Sequence, residues 1–383
     1  MTAIEKYLGM PEEEARNLLL SRIRTYVEYE TPSHHPAEII ALSERIEDEL
    51  RPLGAHVDVR DAPGLGRNLV VRLDASKNVA NQRPLLMLAH LDTVHARGTI
   101  DTRPFRVDGG RAFGPGIYDM KAGVGLLIEA LLWHHRRGTT LRRPVTLLLS
   151  CDEEVGSHSV RPLIDELARN AEAVLVPEPC MPDGGVKTGR KGVATYRIDT
   201  AGVAAHAGIE PGTAVSAITE LVHQATRILA LADHAKGTTI NIGTIEGGTA
   251  TNVVAASASA GVDVRLAVAE EGPRVHDALM ALRPLSEATV TVTLAESRPP
   301  LVRNEQVARI YEHARALAAE LGHDLAEGST GGGSDGSLAA ATGAAVLDGL
   351  GPRGAGAHAE HEHIIIDDLP FRLALLCRLI ETI

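Results

Sequence analysis

The 383-residue chain has only three cysteines, Cys151, Cys180 and Cys377, widely spaced and with no C-x-x-C pair. That argues against a disulfide framework and a thiolate zinc site, and it suits a reducing compartment. Positive charge is also short: 38 Lys and Arg against 50 Asp and Glu leave a formal charge of −12. A phosphate-backbone partner needs the opposite balance, so no nucleic acid is expected. Apolar runs of membrane-spanning length are missing, and no membrane partner is expected. Segment 1–24 carries Glu5, Glu12, Glu13 and Glu14 where a signal peptide has a basic start and an apolar stretch, so the expectation is a cytoplasmic protein. Internal repeats and low-complexity tracts are lacking too. What is present is a 44% hydrophobic composition, enough for sizeable cores in two domains.

Along the first half, residues 11–29 and 37–53 read as amphipathic helices, and 68–73, 84–89, 144–150 and 173–177 as short buried strands. A helical pattern over 121–137 stops at Gly138. Continuous apolar strands separated by helices predict an α/β domain with a mostly parallel sheet. After Pro182-Asp-Gly-Gly185 the texture changes: alternating strands over 193–200, 238–245, 257–267 and 289–295 surround helices over 212–232 and 272–283. That β-α-β-β-α-β order predicts a ferredoxin-like α+β unit. A helix over 304–321 and a strand over 344–347 return to the first texture. The expected domains are therefore 1–186 with 299–383, and an insert over 187–298.

In open parallel sheets, functional groups collect just beyond the carboxyl ends of the strands. His90-Leu91-Asp92, Glu153-Glu154 and Glu178 all fall there, and Asp119 sits in the loop Gly114-Pro-Gly-Ile-Tyr-Asp119-Met-Lys-Ala-Gly123. Taken singly, each acid is a solvated group or a helix cap. Taken together, imidazole and carboxylates are a ligand set for zinc, cobalt or manganese, and a two-metal hydrolase needs a bridging carboxylate, for which the Asp119 loop is suited. Two adjacent carboxylates also allow one to hold a metal while the other moves a proton.

The motifs H-x-D at His90-Leu91-Asp92, G-x-x-D-M-K-x-G over 116–123, D-E-E over 152–154, the Glu of Pro177-Glu178-Pro179 and the late His of Gly354-Ala-Gly-Ala-His358-Ala-Glu-His-Glu362 occur in one order. They resemble the co-catalytic zinc exopeptidase and amidohydrolase family, which includes glutamate carboxypeptidase, aminoacylase, acetylornithine deacetylase and succinyl-diaminopimelate desuccinylase. The pattern lies nearest the glutamate carboxypeptidase branch. The resemblance implies two zinc ions per subunit, with cobalt or manganese as substitutes: His90 and Glu178 on one, Glu154 and His358 on the other, and Asp119 bridging. It makes Asp92 the partner that fixes the His90 imidazole. Glu153 becomes the general base that takes a proton from the attacking water and passes it to the leaving amide nitrogen. A cis peptide at Asp119-Met120 is expected. His361 and His363 lie near His358, which is preferred because its glycine-rich approach and Glu362 match the family pattern.

For the insert, the resemblance implies a dimerisation domain in a homodimer. His206, in Ala201-Gly-Val-Ala-Ala-His206-Ala-Gly208, would reach the partner subunit's site and stabilise the developing oxyanion, which requires the insert to swing toward the catalytic domain. Asn252, Arg265 and Arg298 would hold a substrate carboxylate, together with the backbone of Gly331-Gly332-Gly333. The plain alternatives are a surface His, a turn Asn, a paired surface Arg, a hinge Arg and a flexible turn. Lys187 and Arg190-Lys191 read as a solvated charge cluster. The expected activity is cleavage of an amide bond next to a free carboxylate, releasing a C-terminal, glutamate-like amino acid from a peptide or N-acyl conjugate. An N-acyl-amino-acid deacylase is the alternative enzyme; a non-catalytic amino-acid or metal-binding protein is the alternative of another class, against which the intact Glu153 speaks.

Overall fold

The computed structural model describes residues 1–75, 82–139, 141–209 and 211–383. They form two compact units. Met1–Gly189, Arg303–Thr330 and Ser334–Ile383 make the first, and Arg190–Val302 with Gly331–Gly333 make the second.

The first unit is built on an eight-stranded sheet in the order His56–Ala62, Gly66–Leu73, Val145–Ser150, Leu85–His90, Ala173–Val176, Val346–Asp348, Val186–Arg190, Glu327–Thr330. Its central strands are parallel: Leu85–His90 pairs with Val145–Ser150 and with Ala173–Val176, which in turn pairs with Val346–Asp348. Antiparallel strands flank them on both sides. Every residue of Leu85–His90 and Val145–Ser150 is buried, as expected for strands covered on both faces.

Helix Glu12–Glu28 buries Ala15, Leu19, Ile23, Tyr26 and Val27, a stripe at helical spacing. Helix Ala122–Arg137 packs against it and against helix Leu369–Thr382, and those two also touch each other. Two elements carry little periodic signal in the sequence. Leu369–Thr382 is buried nearly all round, so no polar face marks its period, and the mostly exposed edge strand His56–Ala62 shows no apolar run. A small second sheet joins Arg106–Asp108, Arg111–Phe113, His363–Ile365 and Gly354–Ala355.

The second unit is a four-stranded antiparallel sheet in the order Thr239–Gly247, Ser257–Leu266, Gly192–Ala201, Thr289–Arg298, with helices Ala217–Leu229 and Glu271–Met280. Strand Ser257–Leu266 alternates buried and part-exposed residues, so one face of the sheet meets the helices. Tyr196, Ile198, Leu221, Ile228, Val262, Val264, Val275 and Leu279 form the core. The helix expected from residue 212 begins at Ala217, because Pro211–Thr213 form a separate turn and the Ser216 hydroxyl caps the Thr219 N–H at 3.2 Å. Among the described residues no helix is long and apolar enough to cross a membrane.

Candidate metal centre

Three parallel strands deliver the site to one edge of the first unit. Register pairs His90 with Ser150, so the segment after Ser150 starts beside the imidazole, and Glu178 follows the neighbouring strand Ala173–Val176. Asp119 lies in the irregular turn Ile117–Lys121, ahead of helix Ala122–Arg137, and the Asp119–Met120 peptide is cis. His358 lies in the connection between Gly354–Ala355 and His363–Ile365, which pair antiparallel, and its φ of 65° is left-handed.

Asp119 divides its two oxygens. Oδ1 is 3.2 Å from His90 Nε2, and Oδ2 is 3.4 Å from His358 Nε2. Around the first imidazole, Glu178 Oε1 lies 3.5 Å from His90 Nε2; around the second, Glu154 Oε2 lies 3.2 Å from His358 Nε2. His90, Asp119 and Glu154 offer ligand atoms that all lie within 4.8 Å of one another. Glu154 Oε1 is buried and has no hydrogen-bond partner. A buried carboxylate oxygen left without a donor is costly unless a cation meets it, so the donor set fits a metal. His358 is 51% exposed, which leaves the site open on its side.

The electrostatics agree. Burial alone would lower the His90 imidazole, yet hydrogen bonds to Asp119, Asp92 and Glu178, helped by the charge of Glu153, carry it well above its ordinary value. His358 is raised to about 10 by its hydrogen bonds to Asp119 and Glu154. Burial would raise Asp119, but His358 and His90 hold it far below the usual carboxylate range. Burial raises Glu154. The pocket thus draws positive charge, and metal uptake competes with protons for the same imidazoles.

Asp92 is fully buried and ties the halves together. Its Oδ1 accepts the Glu153 N–H at 3.0 Å, and its Oδ2 accepts the Glu154 N–H at 3.1 Å and the Ser33 hydroxyl at 2.8 Å. His90 Nδ1 lies 2.9 Å from the Asp92 carbonyl oxygen and 3.5 Å from its Oδ1.

Several residues to which the sequence assigned no supporting role brace the site. Glu362 accepts the N–H groups of Gly116, Tyr118 and Asp119 at 2.9, 2.8 and 3.0 Å, and its Oε2 lies 2.6 Å from His95 Nε2. One carboxylate from the far end of the chain therefore shapes the Asp119 turn. Buried Lys121 donates to the Tyr29 carbonyl at 2.6 Å, and burial lowers its ammonium to about 7. A Cβ at Gly123 would meet the Pro177 carbonyl oxygen at 2.0 Å, and one at Gly351 would meet the Glu178 oxygen at 2.7 Å. Glycine at both places lets the Glu178 segment pass. A run of D-M-K-x-G contains Gly123, but the approach it permits is visible only in three dimensions.

Of the remaining residues singled out from the sequence, His206, Asn252, Arg265, Arg298, Gly332 and Gly333 lie in the second unit. His206 is exposed and bridges to Val253, its Nδ1 accepts the Gly208 N–H at 3.1 Å, and Ala207 donates to the carbonyl of exposed Asn252 at 3.0 Å, so His206 and Asn252 are neighbours. Arg265 and Arg298 both border the loop Gly331–Gly333. The expected solvated cluster is corrected: Lys187 and Arg190 are buried, Arg190 because its guanidinium is used on backbone carbonyls of that loop.

Carboxylates and imidazoles gathered beside the carboxyl ends of the central parallel strands, with Asp119 between His90 and His358, mark the site of a metal-dependent hydrolase. A model of peptidase family M20/M25/M40 matches residues 86–382, and the chain belongs to that family and is a hydrolytic metallopeptidase. It is 33% identical over 374 residues to carboxypeptidase G2 of Pseudomonas sp. (strain RS-16), covering 94% of this chain and 88% of that protein. The fold is shared with aminopeptidase PepT of Bacillus cereus, at a TM-score of 0.77 and 22% identity over 96% of this chain and 98% of that one. It is also shared with the M20 family metallo-carboxypeptidase Sso-CP2 of Sulfolobus solfataricus, at a TM-score of 0.71 and 16% identity over 95% and 98% of the two chains.

Proposed function

We propose that the chain is a two-metal exopeptidase that cleaves an amide bond next to a free carboxylate and releases a C-terminal, glutamate-like amino acid. The observation that carries this reading is the division of Asp119, one oxygen toward His90 and the other toward His358. A carboxylate with two imidazoles on opposite oxygens suits a bridge between two ions. His90 and Glu178 would hold one ion and His358 and Glu154 the other; zinc fits these donors, as do cobalt and manganese. When bound, the metal supplies Lewis-acid polarisation of the scissile carbonyl and a more acidic water.

Glu153 takes the proton of the attacking water and delivers it to the amide nitrogen, so the amine leaves neutral. Its backbone is held by Asp92, the same residue that faces His90, so base and ligand keep a fixed relation. His206 donates to the developing oxyanion from the partner subunit of a homodimer. An exposed stripe on helix Ala217–Leu229, formed by Ile218, Val222 and Leu229, supports such a dimer, as does the position of strand Thr239–Gly247 at an edge of its sheet. Asn252, Arg265, Arg298 and the N–H groups of Gly332 and Gly333 hold the substrate carboxylate. Similarity to a protein named carboxypeptidase supports that direction of cleavage.

The test compares hydrolysis of glutamyl-terminal peptides and folate-like conjugates with that of N-acetyl and N-succinyl amino acids. Faster turnover of the first group is expected; faster turnover of the second would make the chain a deacylase. Elemental analysis of the active protein should find two ions per chain, and full activity with one would refute the bridge.

A further inference from the structure

Arg265 reaches the loop Gly331–Gly333 with most of its donors engaged. Nε and Nη2 donate to the two oxygens of Asp263 at 2.8 and 2.9 Å, and Nη1 donates to the Gly331 carbonyl at 3.1 Å. Asp263 and Arg265 are two residues apart on strand Ser257–Leu266, so their side chains leave the same face of the sheet. Arg190 takes the other two carbonyls of the loop, donating from Nη1 to Gly332 at 3.2 Å and to Gly333 at 3.0 Å. The loop also lies against the Arg298 stem, where a Cβ on Gly333 would come within 3.0 Å of Arg298 Cδ.

Two geometric consequences follow. A guanidinium has five N–H donors; with Asp263 on the Nε/Nη2 edge, the edge that remains to face a carboxylate is the Nη1/Nη2 one, with one donor of each nitrogen not taken by Asp263 or Gly331. In a trans peptide the carbonyl and the next N–H point opposite ways, so carbonyls of Gly331 and Gly332 turned to the arginines send the N–H groups of Gly332 and Gly333 away from them.

We infer that Asp263 and Arg190 are positioning residues for carboxylate recognition: Asp263 fixes Arg265 so that it offers only its Nη1/Nη2 edge, and the two arginines orient the Gly332 and Gly333 N–H groups. This rests on the reading that the substrate presents a free carboxylate to Arg265. Asp263 offsets the charge of Arg265, so recognition here depends on the direction of hydrogen bonds more than on net charge. Neither residue touches the substrate.

The test is the full-length Asp263→Asn protein, assayed on a glutamyl-terminal peptide and on the same peptide as its α-carboxamide, with free L-glutamate as competitive inhibitor. Losing one charge-assisted hydrogen bond to the guanidinium should raise KM for the carboxylate substrate, and the inhibition constant of L-glutamate, about tenfold, with kcat within about twofold. The carboxamide should be hydrolysed as by the parent. Arg190→Lys keeps the charge but loses the fork, and should give the same split between KM and kcat; should that buried variant fail to fold, Asp263→Asn still decides. Tighter L-glutamate binding in Asp263→Asn would mean that Asp263 competes for Arg265, and unchanged constants would mean that it positions nothing; either overturns the inference. Arg265→Met separates the two levels: if it keeps the preference for carboxylate over carboxamide, the underlying reading of Arg265 fails whatever Asp263 does.

Discussion

Glu153 and Glu154 are neighbours in sequence to which the proposed mechanism gives opposite tasks, and the structure holds them differently. Glu154 faces His358 and keeps one buried oxygen without a donor, while Glu153 is held through its backbone by Asp92. Glu153→Gln should leave metal content unchanged and lower turnover by several orders of magnitude, read by elemental analysis beside single-turnover kinetics. Glu362→Gln should act on the metal instead. With one fewer acceptor for the Gly116, Tyr118 and Asp119 N–H groups, metal affinity should fall about 10–100-fold, measured by chelator competition, with near-parent turnover at saturating metal. The residues that the structure gathers around Asp119 were legible in the sequence because each closes a strand or sits in a short motif. Glu362 entered only as the companion of His358, since its three N–H partners lie more than 240 residues away and no spacing rule reaches them.

At the scale of elements, helix Ala122–Arg137 carries both a packing constraint and a pH response. Gly123→Ala places a methyl where the Pro177 carbonyl oxygen stands, and should cost about 3 kcal/mol in stability while weakening metal binding on the Glu178 side. Thermal unfolding with and without zinc would separate the two effects. Near the end of the same helix, His134 is buried, with Nδ1 2.7 Å from Thr139 Oγ1 and Nε2 3.2 Å from the Cys377 carbonyl oxygen. Burial lowers its imidazole from 6.5 to about 4. The folded state therefore binds fewer protons, and this stabilisation is present above pH 6.5 and lost as pH falls toward 4, by about 3 kcal/mol in all. Denaturant titrations of His134→Gln should show a flatter stability profile across that window than the parent. The helix itself was legible from its apolar pattern and the stop at Gly138. The terminal helix that covers it was not, because a segment apolar on every side has no period to read.

For the whole molecule, the change of texture after Gly185 announced a second unit, and its strand and helix order was readable because each strand alternates or stays apolar over its length. The short strands around His358 were not, since two- and three-residue pairings leave no periodicity. If the exposed stripe of helix Ala217–Leu229 is the face by which two copies associate, Val222→Asp should yield monomers in sedimentation equilibrium. Because His206 is assigned to the partner's site, those monomers should keep their metal and lose most of their turnover.

The chain enters the second unit at Arg190, leaves after Val302, and returns for three glycines before Ser334. That brief return makes the unit non-contiguous in the gene. A fragment cut at the two obvious borders, 190–302, would contain the whole sheet and both helices but not the three carbonyls that Arg190 and Arg265 hold. Buried Arg190 would then lose the two loop carbonyls it donates to. An excised module of this kind should fold less stably than the same strands in place, and transplanting it into a relative would carry over the arginines without the backbone they grip.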